Sequence, residues 1–463
     1  HGLDPVPVDG ARVLEVGCNM GGNLLPLAAA HPGATFVGVD PAAHAMVRAR
    51  ARVAQLGLTN VELHEIGIEQ LPDGPPFDYV IAHGVLSWIP EPARAALFAT
   101  LDRRLSERGV AYLSFNTLPG WAVRDVLCQA MRRHVRHLGD ARAKVTEARA
   151  LVDRLCEINA PDTEWGRLLH TERDRMEKHG DWFLLHDHLA EHNRPFWFHE
   201  VDERARAHGL RFLAESEPWR SVEPPELERL TGGASTVEER EHRLDLARNT
   251  VFRETLWVRS GPGTLHPSAE HLGALSFRLR GHRTEEDGCW VTPAGAKVTA
   301  THPTAHALLD TLGTGSTALG FAELCAGVEA RLGEVDPDEV AADLLPLVLA
   351  HAAVHVHRWP RPVAHLLTAR PMAFPYARLQ AAEDEVRVTN LRHEALKIDD
   401  FERFLLVHLD GAHDRDRLVQ RIRDAVGRGE LVLELGDDEA EEAIDRVLLA
   451  ALLRIARSAL LVR

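Results

Sequence analysis

Cysteine is scarce in this chain of 463 residues, and long apolar runs are missing from it. The five cysteines are widely spaced and form no CxxC or other metal-ligand pattern, so we expect reduced thiols, a cytoplasmic location and no metal site. No stretch of about 18 consecutive apolar residues occurs, and no membrane association is therefore predicted. The residues before the first apolar stretch do not have the pattern of a secretory signal peptide.

Positive charge is also in short supply. Lysine and arginine together number 53 against 69 aspartates and glutamates, which gives a formal charge of −16. That balance argues against a general nucleic-acid-binding protein, so no nucleic-acid partner is expected. The apolar fraction of 45% and the charged fraction of 26% are typical of a globular protein, and the length predicts two to four domains.

The most informative segment that is present begins at Val13 and ends at Asn23. Its sequence, VLEVGCNMGGN, is an apolar strand that contains a carboxylate, Glu15, and runs into a glycine turn. A helical segment follows, and a second apolar strand closes on Asp40. This order predicts a nucleotide-type pocket at the carboxyl ends of parallel strands, where Asp40 accepts hydrogen bonds from two ribose hydroxyls.

The glycine turn departs from the dinucleotide-binding pattern G-x-G-x-x-G. Asn19 stands where that pattern has its second glycine, and the carboxylate of Glu15 is unfavourable beside an anionic pyrophosphate. A carboxylate at this position instead suits S-adenosylmethionine, which carries an ammonium and a sulfonium and no phosphate. The pattern E-x-G-x-x-x-G resembles the first motif of class I methyltransferases. The alternative is a glycine turn in another kind of α/β protein.

Apolar runs alternate with helical segments through the first part of the chain, which predicts a doubly wound, Rossmann-like α/β fold. The helices include Ala42–Leu56 and Pro92–Leu105. Residues 121–208 are helical in period, and two further strands then return to complete a seven-stranded sheet. The predicted strands are Val13–Val16, Thr35–Asp40, Val61–His64, Tyr79–Ala82, Val110–Phe115, Leu210–Ala214 and Thr250–Val258.

These patterns divide the chain into four parts. After a Gly261-Pro262-Gly263 linker, a faint internal repeat of short strands and helices indicates tandem winged-helix-like α+β units. The small number of basic clusters favours protein contact for these units, and a homodimer formed through them is compatible with it. The predicted parts are a Rossmann-like domain of residues 1–120 and 209–260, a helical lid of residues 121–208, and winged-helix-like units of residues 261–370 and 371–463.

Two further segments carry a more specific resemblance. DYVIAHGVLSWIP starts at Asp78, and AYLSFNTLPGW ends at Trp121. Together with the first motif, they resemble bacterial class I methyltransferases that carry a methyltransferase regulatory domain, among them the rickettsial protein-lysine methyltransferases. The resemblance continues near His186 and Pro195, and weakly through Thr389-Asn390-Leu391-Arg392-His393. It implies S-adenosylmethionine as cofactor, S-adenosylhomocysteine as product, and lysine in a protein or peptide as acceptor.

The chain departs from this family's usual sequence at positions that matter for the pocket. Leu86, Phe115 and Leu118 stand where tyrosine is common. Gly67 stands where an acidic residue usually precedes the isoleucine, so it offers only backbone for adenine recognition. The resemblance and the strand ends predict the following cofactor-binding residues: Glu15, Gly17, Cys18, Asn19, Gly21, Asn23, Asp40, Gly67, Ile68, His83 and Gly84.

The candidate catalytic residues are His83, Asn116 and Trp121. Methyl transfer from a sulfonium is an in-line displacement, so the enzyme mainly aligns the reactants, and a base is needed only for an acceptor that arrives protonated. His83 ends the fourth strand and is the candidate base, although a cofactor contact or a structural role in the turn is favoured. Asn116 is predicted to orient an amine or to form an Asx turn. Trp121 is predicted to wall the channel.

The helical lid and the aromatic residues near the strand ends supply the candidate substrate contacts. The rings of Trp88 and Trp121 suit a cationic amine, although core packing is the commoner role of a tryptophan. Trp197 lies in an aromatic run that is predicted to anchor the lid, and a contact with the substrate is the alternative. The lid also carries His186 and His188 in a histidine-rich segment. One histidine pair there has a spacing that can chelate a metal, but no further ligand pattern accompanies it, and contact with the lid or the substrate is favoured.

Two other functions stay open at this point. The same chemistry can act on a small metabolite or a biosynthetic peptide, at nitrogen or oxygen, and the apolar Leu86, Phe115 and Leu118 favour such a pocket. A non-catalytic regulator that senses S-adenosylmethionine is the third interpretation. Nitrogen, oxygen and carbon acceptors share this scaffold, so the fold does not decide among them.

Overall fold

Two compact units make up the computed structural model, one of residues 1–66 with 266–463 and one of residues 67–265. The predicted linker Gly261-Pro262-Gly263 lies outside the described residues. The structure describes residues 1–222, 225–259, 266–284, 288–292, 295, 297–313, 317–349, 353–360, 363–364, 366–433 and 440–462.

A seven-stranded mixed sheet is the main feature of the first part of the chain. Its strands are β1 (Arg12–Val16), β2 (Thr35–Val39), β3 (Val61–His64), β4 (Phe77–Ala82), β5 (Leu105–Asn116), β6 (Leu210–Glu215) and β7 (Phe252–Arg259). Their order is β3-β2-β1-β4-β5-β7-β6. Strand β2 runs parallel to β1 and β3, whereas β7 runs antiparallel to β5 and β6. The predicted Rossmann-like sheet is confirmed.

All seven predicted strands are present, with ends that differ by a few residues. The largest difference is in β5, which starts at Leu105 rather than at the predicted Val110. Leu105 pairs with Phe77 on β4 ahead of a register shift, so the strand includes polar residues that have low strand propensity. Tertiary pairing therefore outweighs local preference at this end of the sheet.

The helices of this part have recognisable end signals. Gly57 follows α2 with a φ of 63°, a left-handed conformation that glycine adopts without strain. Asp140 and Thr163 cap α5 and α6 by accepting hydrogen bonds from backbone N–H groups. The helices are α1 (Leu24–Ala30), α2 (Ala43–Leu56), α3 (Glu91–Arg104), α4 (Ala122–Val135), α5 (Ala141–Ile158), α6 (Glu164–Phe183), α7 (Phe198–Ala207), α8 (Pro225–Thr231) and α9 (Val237–Arg248).

The predicted lid is helical and has its own apolar core. Helix α6 is interrupted at Gly180, where φ is 78°, and continues into a π-helical turn at Leu184–His188. The following segment is fixed to the sheet, because the ring of Phe198 lies 5.0 Å from that of Phe212 and 6.2 Å from that of Trp257. The buried core of the lid consists of Leu127, Met131, Val135, Val145, Ala148, Val152, Cys156, Leu169, Met176 and Leu184.

The C-terminal part is α+β, as predicted. Its strands form small sheets in the orders β11-β10-β9, β12-β8-β13 and β14-β15. The division of this part at residue 370 stays a prediction. Its elements are β8 (Ser276–Leu279), β9 (His282–Arg283), β10 (Cys289–Val291), β11 (Lys297–Thr299), α10 (Pro303–Leu312), β12 (Leu319–Gly320), α11 (Phe321–Leu332), α12 (Pro337–Leu349), β13 (Val354–His357), α13 (Pro375–Ala382), β14 (Arg387–Thr389), β15 (Ala395–Lys397), α14 (Asp400–His408), α15 (Arg415–Gly427) and α16 (Ala440–Arg457).

Helices α1 and α2 share an apolar core with the last four helices. Leu25 and Ala30 of α1 are buried in the same cluster as side chains from α13 to α16. On α2, the buried Arg52 forms ion pairs with Glu383 and Glu385, which follow α13. The first 66 residues and the C-terminal helices therefore fold around common contacts. None of the helices in the described ranges has the length and apolar character needed to cross a membrane.

Candidate active site

The glycine turn after β1 has the backbone conformation that its sequence predicts. Gly17 and Gly21 have φ angles of 71° and 76°. A Cβ on Gly21 would lie 2.6 Å from Cγ of Leu25, so this position needs glycine for space as well as for conformation. Asn19 also has a positive φ, 48°, which asparagine tolerates better than most residues.

Asp40 holds this turn in place. Its Oδ2 accepts a hydrogen bond from the backbone N–H of Asn19 over 2.9 Å, and its Oδ1 accepts one from the backbone N–H of Ala42 over 2.8 Å. The side chain is nearly buried at the end of β2. Because each carboxylate oxygen can accept a second hydrogen bond, these contacts leave Asp40 able to bind ribose hydroxyls.

Glu15 is a buried carboxylate that forms no ion pair with any residue the structure describes. It is 5% exposed, and its Oε1 accepts a hydrogen bond from Nδ2 of Asn23 over 3.0 Å. Its Oε2 is buried without a hydrogen-bond partner among the residues that the structure describes. Burial raises the pKa of Glu15 to about 8, against the effect of the Asn23 hydrogen bond. An ammonium group would supply the missing partner, so the residues present fit the methionine end of S-adenosylmethionine.

Cys18, one of the predicted cofactor-binding residues, packs inside the turn. Its Sγ lies 3.9 Å from Sδ of Met46, and the side chain is buried. Burial, followed by the charges of Glu15 and Asp40, raises the pKa of Cys18 to about 12. The thiol therefore stays protonated and is a poor nucleophile.

The adenine-binding position predicted at Gly67 and Ile68 includes a residue that the sequence analysis missed. Ile68 is buried, and Gly67 precedes the short 3₁₀ helix Ile68–Gln70. Both carboxylate oxygens of Glu69 lie 2.6 Å from where a Cβ on Gly67 would be. The Glu69 side chain therefore fills the space beside Gly67.

His83 is the first member of a hydrogen-bond chain that crosses three strands. Its Nδ1 lies 2.8 Å from the hydroxyl oxygen of Tyr112 on β5, and that hydroxyl donates to Oε1 of Glu254 on β7 over 2.8 Å. Burial, followed by the charge of Glu254, raises the pKa of Tyr112, so the phenol keeps its proton. Beside this chain, the Oγ of Ser114 accepts a hydrogen bond from the backbone N–H of Gly84 over 2.8 Å.

The direction of these hydrogen bonds determines the tautomer of His83. A carboxylate only accepts, so Tyr112 donates its proton to Glu254, and its oxygen accepts from the Nδ1–H of His83. A neutral His83 therefore has its lone pair on Nε2. The residue is exposed, and Nε2 is the ring atom that this network leaves to accept a proton.

Asn116 joins the end of β5 to the end of the lid. Its backbone N–H donates to Oγ of Ser87, and its Nδ2 donates to Oδ1 of Asn193, each over 2.9 Å. The backbone N–H of Leu118, which an Asx turn would use, donates instead to the carbonyl oxygen of Phe196 over 3.0 Å. The Nδ2 of Asn116 thus holds a residue of the lid, and its Oδ1 is the atom of the same amide that can accept a hydrogen bond.

The three candidate tryptophans differ in their surroundings. Trp121 is buried, its Nε1 has no hydrogen-bond partner in the described part of the chain, and the guanidinium of Arg124 lies 5.3 Å from the ring centroid. Trp88 and Trp197 are partly buried, and the Trp197 ring lies 5.1 Å from that of His242. The contact with Arg124 indicates that the face of Trp121 suits a cation. Binding of substrate by these rings stays a prediction.

The two lid histidines are placed differently. His188 is 1% exposed, with its ring 5.1 Å from that of Phe183 and its Nε2 3.7 Å from Oε2 of Glu172. Both of its ring nitrogens lack a hydrogen-bond partner among the described residues. His186, in contrast, is exposed. His188 therefore packs in the lid core in this arrangement, and substrate contact by either residue stays a prediction.

The sequence analysis missed the residues that contact the predicted site residues and hold them in place. They are Glu69 beside Gly67, Tyr112 and Glu254 behind His83, and Asn193 on Asn116. A tyrosine and a serine alternating in the otherwise apolar residues 110–115 of β5 were the available signal, because buried polar side chains need partners. Within the described ranges, no group of three or more His, Cys, Asp or Glu side chains is placed to hold a metal ion.

Three family models match separate parts of the chain. Residues 14–111 match a methyltransferase domain, residues 181–259 match a predicted methyltransferase regulatory domain, and residues 369–460 match the C-terminal winged helix domain of PKMT. The methyltransferase match contains the glycine turn, Asp40 and His83. The winged helix match starts close to the predicted unit boundary at residue 371.

Similar sequences are found in Rickettsia. The uncharacterized protein RP789 of Rickettsia prowazekii (strain Madrid E) is 29% identical over 473 residues, which cover 93% of this chain and 82% of that protein. The uncharacterized protein RP028 of the same organism is 28% identical over 214 residues, which cover 46% of this chain and 86% of that protein.

A solved structure has the same fold over the whole chain. The structure of PKMT2 from Rickettsia typhi matches with a TM-score of 0.88 and 22% sequence identity, and the match covers 100% of this chain and 96% of that one. The structure of PKMT2 in complex with AdoHcy matches with a TM-score of 0.85 and the same identity and coverage. The combination of the seven-stranded sheet with the C-terminal winged helix domain is therefore a fold that is already known from a solved structure.

Proposed function

We propose that this chain, a class I S-adenosylmethionine-dependent methyltransferase, methylates the side-chain nitrogen of lysine in a protein or peptide. The enzyme class follows from the methyltransferase domain of residues 14–111. S-adenosylmethionine supplies a methyl group that is already activated on a positively charged sulfur. The chain's own task is to hold the cofactor, orient the amine and remove its proton.

The observation that carries the proposal is the hydrogen-bond chain from His83 through Tyr112 to Glu254. A lysine ammonium has no lone pair, so it must lose a proton before its nitrogen can attack. The network leaves Nε2 of His83 as the atom that accepts the proton of the lysine ammonium. Glu254 then stabilises, through Tyr112, the positive charge on His83. Asn116 is proposed to orient the amine through its amide oxygen, and Trp121 to offer a ring face to the cation.

Three carboxylates are proposed to hold the cofactor. Glu15 binds the methionine ammonium through its unpartnered Oε2, and Asp40 binds the ribose hydroxyls. Glu69 offers an acceptor for the exocyclic amine of adenine, in place of the side chain that Gly67 lacks. Gly17, Gly21 and Gly84 provide the close approach of backbone that the cofactor requires.

The macromolecular substrate is supported by the C-terminal part of the chain. Residues 369–460 match a winged helix domain that is named for PKMT, an abbreviation of protein lysine methyltransferase. PKMT2 of Rickettsia typhi, which carries the same name, has the same fold. An accessory domain of this kind suits a large substrate, which needs binding surface beyond the reacting side chain.

The small-substrate alternative loses part of its support. It depended on apolar residues at three positions where related enzymes often have tyrosine, but Leu86 and Phe115 are buried in the core. The ring of Phe115 lies 6.2 Å from that of Phe196. These two residues therefore contribute to packing, and only Leu118 is partly accessible. The experiment below also detects methylation of a small molecule.

Transfer of labelled methyl groups into a lysate of the source cells tests the proposal. The purified wild-type chain and Asp40→Ala are incubated with labelled S-adenosylmethionine, and label is separated into macromolecular and small-molecule fractions. We expect label in protein with the wild-type chain only, recovered as methyl-lysine after hydrolysis. Label in small molecules would instead support a metabolite or peptide acceptor.

Binding of S-adenosylhomocysteine is measured in parallel by calorimetry. Binding without transfer into either fraction would favour the cofactor-sensing regulator, and a gel shift that depends on the cofactor would then identify DNA as its target. Size-exclusion chromatography with light scattering tests the homodimer that is proposed to form through the C-terminal units.

A further inference from the structure

A residue of the C-terminal domain contacts the cofactor loop directly. His393 lies in the turn between β14 and β15, and its Nε2 is 2.6 Å from Oδ1 of Asn23. Asn23 is the last residue of the glycine-rich segment after β1, and its Nδ2 donates to Glu15. All three residues belong to the same compact unit. The C-terminal domain is therefore two hydrogen bonds away from the carboxylate that faces the methionine ammonium.

The amide of Asn23 must point in one direction for this arrangement to work. A side-chain amide has a donor end and an acceptor end, and only the donor end is favourable beside a carboxylate. If the amide turned over, its oxygen would face Oε1 of Glu15 and repel the ionised carboxylate, which is the form that binds an ammonium. The Nε2–H of His393 prevents this rotation of the amide, because it donates a hydrogen bond to Oδ1 of Asn23.

His393 is held in a turn that gives it little freedom. Its φ is 60°, a left-handed conformation that is costly for a residue with a Cβ. The buried Asn390 maintains the turn, because its Oδ1 accepts hydrogen bonds from the backbone N–H groups of Arg392 and Glu394, each over 2.9 Å. Its Nδ2 donates to Oε2 of Glu394 and to the carbonyl oxygen of Ser458, also over 2.9 Å.

The turn is also fixed from the other side. Oε1 of Glu394 accepts a hydrogen bond from Nη2 of Arg278 on β8 over 2.6 Å. Partial burial, followed by the charge of His31, lowers the pKa of His393, which favours the neutral imidazole. The proton lies on Nε2 because Oδ1 of Asn23, which faces Nε2, can only accept. A strained residue that is held by so many partners indicates a position with a function.

We propose that His393 is a positioning residue of the cofactor site: it orients the Asn23 amide, and through it Glu15, to receive the ammonium of S-adenosylmethionine. The C-terminal winged helix domain thereby sets the affinity for the cofactor. This inference depends on the cofactor alone and is independent of the lysine acceptor proposed above.

Ligands with and without an amino-acid end separate this role from a general structural one. S-adenosylhomocysteine carries the ammonium, whereas 5′-methylthioadenosine has the same adenosine and sulfur but no ammonium. We expect His393→Ala to weaken S-adenosylhomocysteine about tenfold in calorimetry, because the lost orientation removes much of one charge-assisted hydrogen bond. The affinity for 5′-methylthioadenosine should change less than twofold.

Three further variants complete the test. His393→Gln retains an N–H donor at a similar reach and should restore most of the S-adenosylhomocysteine affinity. Asn23→Ala should lose affinity as His393→Ala does, and the double variant should be no weaker than Asn23→Ala alone, since the two residues act in series. Lys397→Ala, on the adjacent strand β15, is the matched control and should bind both ligands normally.

Two results would overturn the proposal. One is an equal loss of both ligands in His393→Ala, which would mean a distorted loop rather than a misplaced carboxylate. The other is unchanged S-adenosylhomocysteine binding in a folded His393→Ala. If that variant does not fold, His393→Phe serves in its place: it keeps the ring and lacks the donor, and it must bind S-adenosylhomocysteine more weakly than His393→Gln. If the variants show the expected differences in ligand binding but the wild-type chain does not methylate lysine, the proposed function is wrong and the role of His393 still holds.

Discussion

The guanidinium of Arg253 lies 2.9 Å from a carboxylate oxygen of Asp245, and both side chains are almost fully buried. Arg253 also forms ion pairs with the buried Glu215 and Glu241. Arg253 therefore pairs with three buried carboxylates next to β7, and Glu241 has a second ion pair, with Arg240. Burial raises the pKa of Glu215 to about 7 even though the charge of Arg253 opposes that shift.

Loss of the Arg253 charge should destabilise the unit of residues 67–265. We expect Arg253→Met to lower the free energy of unfolding by about 3–5 kcal/mol at pH 8, because Glu215 and Asp245 would lose this buried cation. The loss should be smaller at pH 5, where protons can neutralise them. Urea denaturation measures it, with the exposed Arg229→Met on α8 as the matched control. Equal stability of the two variants would show that the carboxylates find other partners.

Cofactor binding should release a proton at neutral pH. Burial raises the pKa of Glu15 to about 8, so the free protein holds this proton below pH 8, whereas an ammonium partner favours the ionised form. The affinity for S-adenosylhomocysteine should therefore rise with pH between about 5 and 8 and then level off. Calorimetry in buffers of different ionisation enthalpy counts the released proton.

Glu15→Gln is the control for that proton. Glutamine has the shape of glutamate, and its Oε1 can still accept the hydrogen bond from Asn23. It has no titrating proton to release when the cofactor binds. Its binding should be weaker and independent of pH in the same range. A wild-type affinity that does not change between pH 5 and pH 8 would contradict the assignment of Glu15 to the ammonium.

Removal of the Tyr112 hydroxyl should slow methyl transfer without affecting cofactor binding. Tyr112→Phe breaks the hydrogen-bond chain behind His83, and we expect kcat to fall about 10–100-fold at pH 7. The deficit should narrow toward pH 10, because a free lysine amine near its ordinary pKa needs no base. Tyr79→Phe, on the neighbouring strand β4, is the matched control. A constant deficit at all pH values would assign Tyr112 to structure rather than to proton transfer.

The hydrogen bond between Asn116 and Asn193 should control how firmly the lid is held. We expect Asn193→Ala to raise the KM for the acceptor several-fold, with little effect on S-adenosylhomocysteine affinity, since one buried hydrogen bond contributes about 1 kcal/mol. Limited proteolysis of the lid should become faster. Asn159→Ala, between lid helices α5 and α6, provides a control elsewhere in the same segment.

The strands and the cofactor loop could be predicted because their signals are local. Apolar runs ending in Glu15, Gly17 and Asp40 have few structural solutions, and the strand bounds follow from residue type within a window of about ten residues. The start of β5 at Leu105 was missed because its pairing with Phe77 outweighs the polar residues that follow. Local preference does not contain that information.

The partners of the site residues could not be predicted for a related reason. Asn23 and His393 are 370 positions apart, and no periodicity connects them. Glu254 contacts Tyr112 only because β7 runs antiparallel beside β5, which is a property of the assembled sheet. The sequence identifies residues that face a ligand more readily than those that orient them, since the latter depend on long-range register.

The shared core of α1, α2 and the last four helices has a consequence for synthesis. The ribosome makes Leu25 and Ala30 roughly 350 residues before the helices that bury them, which corresponds to roughly 20–70 s at usual elongation rates of about 5–20 residues per second. During that time the apolar faces of α1 and α2 lack their final covering. The apolar faces of α1 and α2 therefore stay uncovered until the segment that carries α13 to α16 has been made.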